Sequence, residues 1–253
     1  MAITVPPARV SRVMAPVARA GLEVGLVAVL FLLYRAGRSL VTGQEAVALQ
    51  HARSVHALEQ WLPLPSEAWV QSLVPSSLLH AANVYYVSVH FPLMIAFLVW
   101  GYTRRPRAEY VWARNLLIAL TGAALVIHIV FPLAPPRMFP QWGFVDTMAV
   151  YGPNAYAGAS GASANQFAAM PSLHIGWALL IAYVVMRTAS RKLAALAIAH
   201  AVVTVLVVVV TANHYWLDGI VAAGLLTCAG LLMPPPERQR DRERKRLREA
   251  VRC

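Results

Sequence analysis

Residues 193–233 read LAALAIAHAVVTVLVVVVTANHYWLDGIVAAGLLTCAGLLM, two apolar runs on either side of a short polar insert. Each run approaches the roughly twenty residues that carry a helix across about 30 Å of hydrocarbon. The pattern predicts two membrane spans, Leu193 to Val210 and Tyr215 to Met233, joined by a tight connection. Working outward, four further apolar stretches qualify, at about Leu22 to Tyr34, Ala81 to Tyr102, Val111 to Pro132 and Pro171 to Met186. The first follows Arg9, Arg12 and Arg19 as a secretion signal would. No small-residue cleavage site follows it, however, and Tyr34-Arg35 closes it, so it is read as a helix. Composition agrees: of 253 residues, 58% are apolar or aromatic and only 13% are charged. That excludes disorder and sits far from the charged content of about a quarter in a soluble domain. The expected fold is all-α, a polytopic membrane helical bundle with about six transmembrane helices and an outer interfacial helix. Residues 1–233 form the expected membrane-embedded domain and residues 234–253 a basic cytoplasmic tail.

The net charge of +11 is sorted by connection. Arg9, Arg12 and Arg19, then Arg104, Arg105 and Arg107, then Arg187, Arg191 and Lys192, and finally the tail from Arg238 to Arg252, fall on alternate connections. The other connections hold only Arg35, Arg38, Arg53 and Arg137. By the positive-inside rule both termini are cytoplasmic and the sparsely charged loops face outward. Because the basic residues sort by membrane side instead of forming one face, nucleic acid is not an expected partner. The bilayer is one, and the tail reads as a solvated helix or disordered anchor, or as a contact for anionic headgroups. Cys228 lies in an apolar stretch and Cys253 is the last residue, so no structural disulfide is expected. An Ala/Arg/Val-rich, Lys-poor composition points to a bacterial plasma membrane.

Two outward segments carry further information. From Thr42 to Leu62 the chain reads as an amphipathic helix lying in the interface, opened by a Thr42-x-x-Glu45 capping box and carrying Val47, Val55, Leu58 and Leu62 at helical spacing. The long connection from Leu133 to Met170 intersperses glycines with Trp142, Phe144, Tyr151, Tyr156 and Phe167, as a lid or lipid-facing cover would.

Polar groups gather at the outer ends of three spans. The third ends in Phe131-Pro132-Leu133-Ala134-Pro135-Pro136-Arg137, the fourth opens with Met170-Pro171-Ser172-Leu173-His174, and the sixth with Asn213-His214-Tyr215-Trp216-Leu217-Asp218. Pro171 suits the first turn of a helix, which leaves Ser172 and His174 near free amides that favour an anion. His214 and Asp218 are four apart and share a helix face, so the carboxylate can orient the imidazole. Taken singly, Arg137 reads as a side chain snorkelling to headgroups and His174 as a headgroup contact. The His214–Asp218 pair reads either as an oriented imidazole or as a structural hydrogen bond. Taken together, a cation, two imidazoles and an orienting carboxylate at one membrane face form a site suited to phosphoryl chemistry. His90, His128 and His200, inside spans, are expected to make interhelical hydrogen bonds. No His-Glu-x-x-His sequence or Cys pair supports a metal, and no cofactor is expected.

On these motifs the chain resembles the type 2 phosphatidic acid phosphatase superfamily, and within it the branch similar to inositol phosphorylceramide synthase. The resemblance runs from about Phe131 to Gly224. It implies that His214 attacks phosphorus to form a phosphohistidine and that Asp218 orients and activates it. His174 would protonate the leaving oxygen, while Arg137 and Ser172 would hold the phosphoryl oxygens of a membrane lipid phosphate substrate. Two departures bear on substrate. Val130 stands where the superfamily's phosphatases generally have Lys, and Val207-Val208 stand in place of Ser-Arg. A phosphomonoester carries about −1.5 to −2 at neutral pH, as a phosphorylated side chain does, and needs more compensation than a singly charged diester. The expectation is a phosphodiester lipid donor whose phosphoryl-bearing headgroup passes to an acceptor hydroxyl, with hydrolysis to water as the alternative. A non-catalytic lipid carrier or transporter is the competing class. It would more often show inverted repeats and helices interrupted near the midplane, whereas these polar groups sit at one edge.

Overall fold

In the computed structural model the described residues are 43–156 and 165–236, together with a few helical positions between 21 and 32. The chain divides into two compact units, Met1–Thr42 and Gly43–Cys253. The first expected span and the basic tail beyond residue 236 lie outside the residues described, as do Thr42 and residues 157–164.

Helices account for the regular structure of the second unit: α1 Glu45–Glu59, α2 Glu67–Ser72, α3 Ser76–Ser88, α4 His90–Arg104, α5 Arg107–Val130, α6 Thr147–Tyr151, α7 Leu173–Thr188, α8 Arg191–Val210 and α9 Trp216–Leu232. Two 3-10 turns, Pro136–Met138 and Pro140–Trp142, lie between α5 and α6. By length and composition α5 and α8 suffice to cross a membrane, and α3 with α4 passes as a third, bent span. α7 and α9 are apolar but shorter, at 16 and 17 residues.

The second expected span is broken. α3 and α4 meet at Val89 with a bend of 41°. Pro92 explains the break: it has no amide hydrogen to give Ser88, and its ring crowds the carbonyl four residues back. His90 is thereby placed at the corner.

α5, α7, α8 and α9 pack around an aliphatic core that includes Leu116, Leu120, Leu180, Ile181, Val184 and Leu226. Two glycines permit the closest crossings. A Cβ on Gly176 of α7 would lie 3.2 Å from Leu120 Cδ2 and 3.6 Å from Ala222 Cβ, and one on Gly219 of α9 would meet Ile175 Cδ1 at 2.8 Å. α7 and α9 are thus drawn together beside His174 and Asp218.

α1 begins at Glu45 and packs on the bundle through one face. Its N-cap is Gln44, whose side chain makes no capping hydrogen bond, and Thr42 of the expected capping box lies outside the described residues. The buried face is Ala48, Ala52, Val55 and Glu59, while Val47 and Leu58 are exposed. The reason is close approach to the backbone: Ala134 N–H donates to Ala48 O at 3.2 Å, which small side chains allow and valines would obstruct. His51 stacks on Phe131 and His56 on Trp142, so the aromatic loop packs against α1.

Candidate active site

Three chain segments meet at one end of the bundle: the stretch 131–137 after α5, the N-terminus of α7, and the turn 211–215 between α8 and α9. The turn is tight. Asn213 and His214 amides both donate to Val208 O, at 3.1 and 3.3 Å, and Ala212 takes a left-handed φ of 53°. That conformation costs a non-glycine residue about 1–2 kcal/mol. It presents Ala212 O to the Arg137 amide at 2.8 Å, tying the first segment to the third. Ser172 N–H donates to Asp218 O at 3.1 Å and ties the second to the third.

His214 is buried, and its Nδ1 lies 2.9 Å from Ala169 O and 3.2 Å from Asp218 Oδ2. A carbonyl oxygen only accepts, so Nδ1 carries the hydrogen and Nε2 keeps its lone pair. The expected partner of Asp218 is therefore present. Asp218 is fully buried, and its Oδ2 also accepts the Tyr215 amide at 2.9 Å.

His174 stands in the first turn of α7, partly exposed. Its ring stacks on Tyr86 at 4.2 Å, lies 4.5 Å from the His90 ring and 5.9 Å from that of His214. Ser172 is the N-cap of α7, its hydroxyl accepting the Ile175 amide at 3.3 Å. Pro171 consequently precedes the cap instead of occupying the first turn.

Arg137 does not snorkel; it is buried and its guanidinium lies 4.0 Å above the Tyr156 ring. Nε donates to Asn213 Oδ1 at 3.2 Å, Nη1 is 3.5 Å from Asp146 Oδ2, and Nη2 is buried without a partner. A buried donor left unsatisfied costs about 1–3 kcal/mol, which a phosphoryl oxygen accepting at Nη2 would recover.

Asn213, Tyr156, Asp146, Tyr86 and His90 join this site without having been singled out for it from the sequence. Tyr156 O–H donates to Asn213 Oδ1 at 3.2 Å and meets the Tyr86 hydroxyl at 3.3 Å. Asn213 was visible as the residue before His214, but the others come from distant segments. Among the further histidines, His200 Nδ1 lies 2.5 Å from the Tyr85 hydroxyl, an interhelical bond as expected, whereas His128 Nε2 donates at 3.1 Å to Pro171 O, just before the cap of α7. His90 differs: neither ring nitrogen has a hydrogen-bond partner, and the ring is held by stacking on Trp177 at 5.7 Å and against His174.

The family description "PAP2 superfamily" matches residues 53–232, well over half of the chain and every segment of this site. The chain belongs to the PAP2 superfamily. Its apolar helices are those of a membrane-compatible protein, and the superfamily is one of phosphatases and related phosphoesterases. Neither a curated protein nor a solved structure matches the chain. In this PAP2 protein one cation, two imidazoles and a carboxylate lie in one cluster. Val207 and Val208, before His214, are buried in an apolar cluster with Leu79, Met148 and Ile175.

Proposed function

We propose that this protein is an integral-membrane phosphotransferase that moves a phosphoryl-bearing headgroup from a phosphodiester lipid to a hydroxyl acceptor through a phosphohistidine on His214. The observation that carries the reading is the fixed tautomer of His214. Nδ1–H is committed to Ala169 O and Asp218 Oδ2, so Nε2 is a nucleophile at no cost in tautomer or rotamer. In the first step Nε2 forms a bond to phosphorus while the bond from phosphorus to the lipid alcohol oxygen breaks, and His174 gives that oxygen its proton. In the second, the acceptor oxygen attacks phosphorus, the N–P bond breaks, and His174 takes the acceptor's proton. Arg137 Nη2 binds a non-bridging oxygen through both steps, and Ser172, at the N-cap of α7, holds another with the amides of that turn.

The preference for a diester follows from charge. Arg137 is the cation whose field reaches His214, and Val207-Val208 supply apolar packing where a second cation would enter. One guanidinium, already 3.5 Å from Asp146 Oδ2, compensates at most one further negative charge, so a monoester dianion would remain undercompensated in a buried site. In the reading proposed here the bundle has six spans, both termini are cytoplasmic and the site faces outward from a bacterial plasma membrane. Water in place of the acceptor would make the same residues a lipid phosphatase.

The test is to give purified protein in liposomes a diester phospholipid or phosphatidic acid and compare kcat/KM. The reading expects the diester to be preferred and the headgroup phosphate to appear on an added hydroxyl acceptor. Faster cleavage of phosphatidic acid than of any diester would overturn the preference.

A further inference from the structure

Two acidic residues that play no part in the chemistry above are buried. Glu59 is the last residue of α1 and Glu67 the first of α2, and they are only 7% and 3% exposed. Both reach the N-terminus of α9. Glu67 Oε1 accepts the Trp216 amide at 3.0 Å, and Glu59 Oε1 accepts the Leu217 amide at 2.8 Å. With Asp218 Oδ2 on the Tyr215 amide at 2.9 Å, three consecutive amides each bind a different carboxyl group, from three helices. Helix N-termini favour negative charge, but worth only about 0.3–2 kcal/mol, too little to hold three buried carboxylates ionised side by side.

Glu59 Oε2 has no partner at ordinary hydrogen-bond length, yet it is buried and interacts with the Glu67 carboxyl. Burial first, and then that carboxyl, push Glu59 up to about 9, with the charge of Asp218 adding and the Leu217 amide opposing. The titratable groups around the pair are His56 on α1, which interacts with Glu67, the Tyr215 hydroxyl and Asp218. At neutral pH this shift favours the protonated form of Glu59 beside the Glu67 carboxyl.

We propose that Glu59 and Glu67 are positioning residues: a proton-sharing carboxyl pair that clamps the first turn of α9 and so holds His214 and Asp218 in their reactive arrangement. The inference rests on the reading of His214 as the nucleophile. The clamp acts through the Trp216 and Leu217 amides, one to three residues from the imidazole and its orienting carboxylate. Losing the shared proton leaves two adjacent carboxylates, whose repulsion loosens α1 and α2 from α9. The sign follows from the folded value of about 9 against the ordinary 4.5. The native state holds a proton that the unfolded chain releases near 4.5, so this contribution to stability is complete below 4.5 and is lost as pH rises through about 9.

Glu59→Gln tests the clamp because the amide keeps an acceptor for Leu217 N–H and offers a permanent donor to Glu67. The account expects the alkaline limb of the kcat profile, near pH 9 in the wild type, to move upward or vanish in E59Q, with kcat at pH 7 within about threefold. Glu59→Ala should lower kcat by about tenfold to a hundredfold with KM changed less than about twofold, as a small displacement of the nucleophile would. An unchanged alkaline limb in E59Q overturns the proposal. Infrared titration of the same proteins separates this failure from failure of the functional reading. A protonated-carboxyl band that disappears near pH 9 in the wild type and is missing from E59Q supports the pair even if no donor is turned over. A wild-type spectrum without that band overturns the pair whatever the activity.

Discussion

Around Leu116, Leu180, Ile181, Val184 and Leu226, helices α4, α5, α7, α8 and α9 meet through aliphatic and alanine side chains. A few residues along the same helices, past Gly176 and Gly219, the buried groups are Arg137, His214, Asp218, Asn213, Glu59 and Glu67. In the first region each side chain contributes packing volume, and any apolar residue of similar shape would serve. In the second, each buried polar group is costly to desolvate, and several are held by partners from separate segments: Ala169 for His214, Asn213 and Asp146 for Arg137, α1 and α2 for the start of α9. The fold should therefore be tolerant where the chemistry is absent, and the chemistry fragile where the fold has alternatives.

Four substitutions probe that contrast. His214→Ala should lower turnover by about ten-thousandfold or more while detergent-extracted protein still unfolds cooperatively, its thermal transition lowered only by the lost partner of Ala169 O and Asp218. A carrier would instead lose lipid binding or nothing at all. Arg137→Ala should cost about a hundredfold to a thousandfold in kcat/KM, measured with a diester donor, through loss of the donor at Nη2. Tyr156→Phe removes the hydroxyl that bonds Asn213 and leaves the ring under the guanidinium. A loss of about twofold to tenfold is expected, and a larger one would mean that the hydroxyl touches substrate. Leu180→Ala reverses the pattern: about 2–5 kcal/mol of stability lost by chemical or thermal unfolding, with kcat within about twofold in the protein that remains folded. If Leu180→Ala silenced the enzyme without unfolding it, the separation of the two regions would be wrong.

The same contrast governs what the sequence discloses. α5, α7, α8 and α9 were legible to within a few residues, because hydropathy over a window is a local property. The break at Val89 was not, since averaging over Ala81 to Tyr102 outweighs one Pro92. On α1 the apolar spacing was legible, but the face of Ala48 and Ala52 that meets the backbone at close range was not, because a hydrophobicity scale gives small alanines little weight. Of the site, His214 with Asp218 was legible from spacing, and Arg137, Ser172 and His174 from their places at span ends. Tyr86, Asp146, Tyr156, Glu59 and Glu67 were not, because each reaches the site across a long separation in sequence. Glu59 did leave a trace: it falls on the face of Ala48, Ala52 and Val55, where an exposed acid has no place.

The central claim is that phosphorus passes through His214. The direct measurement is to mix the protein with a diester lipid labelled in the phosphoryl group, quench in acid within the first turnovers, and follow base-stable label on the polypeptide. Wild type should carry the label and pass it to an added acceptor, and His214→Ala should carry none. Turnover without protein-bound label, or equal label on His214→Ala, would contradict the account.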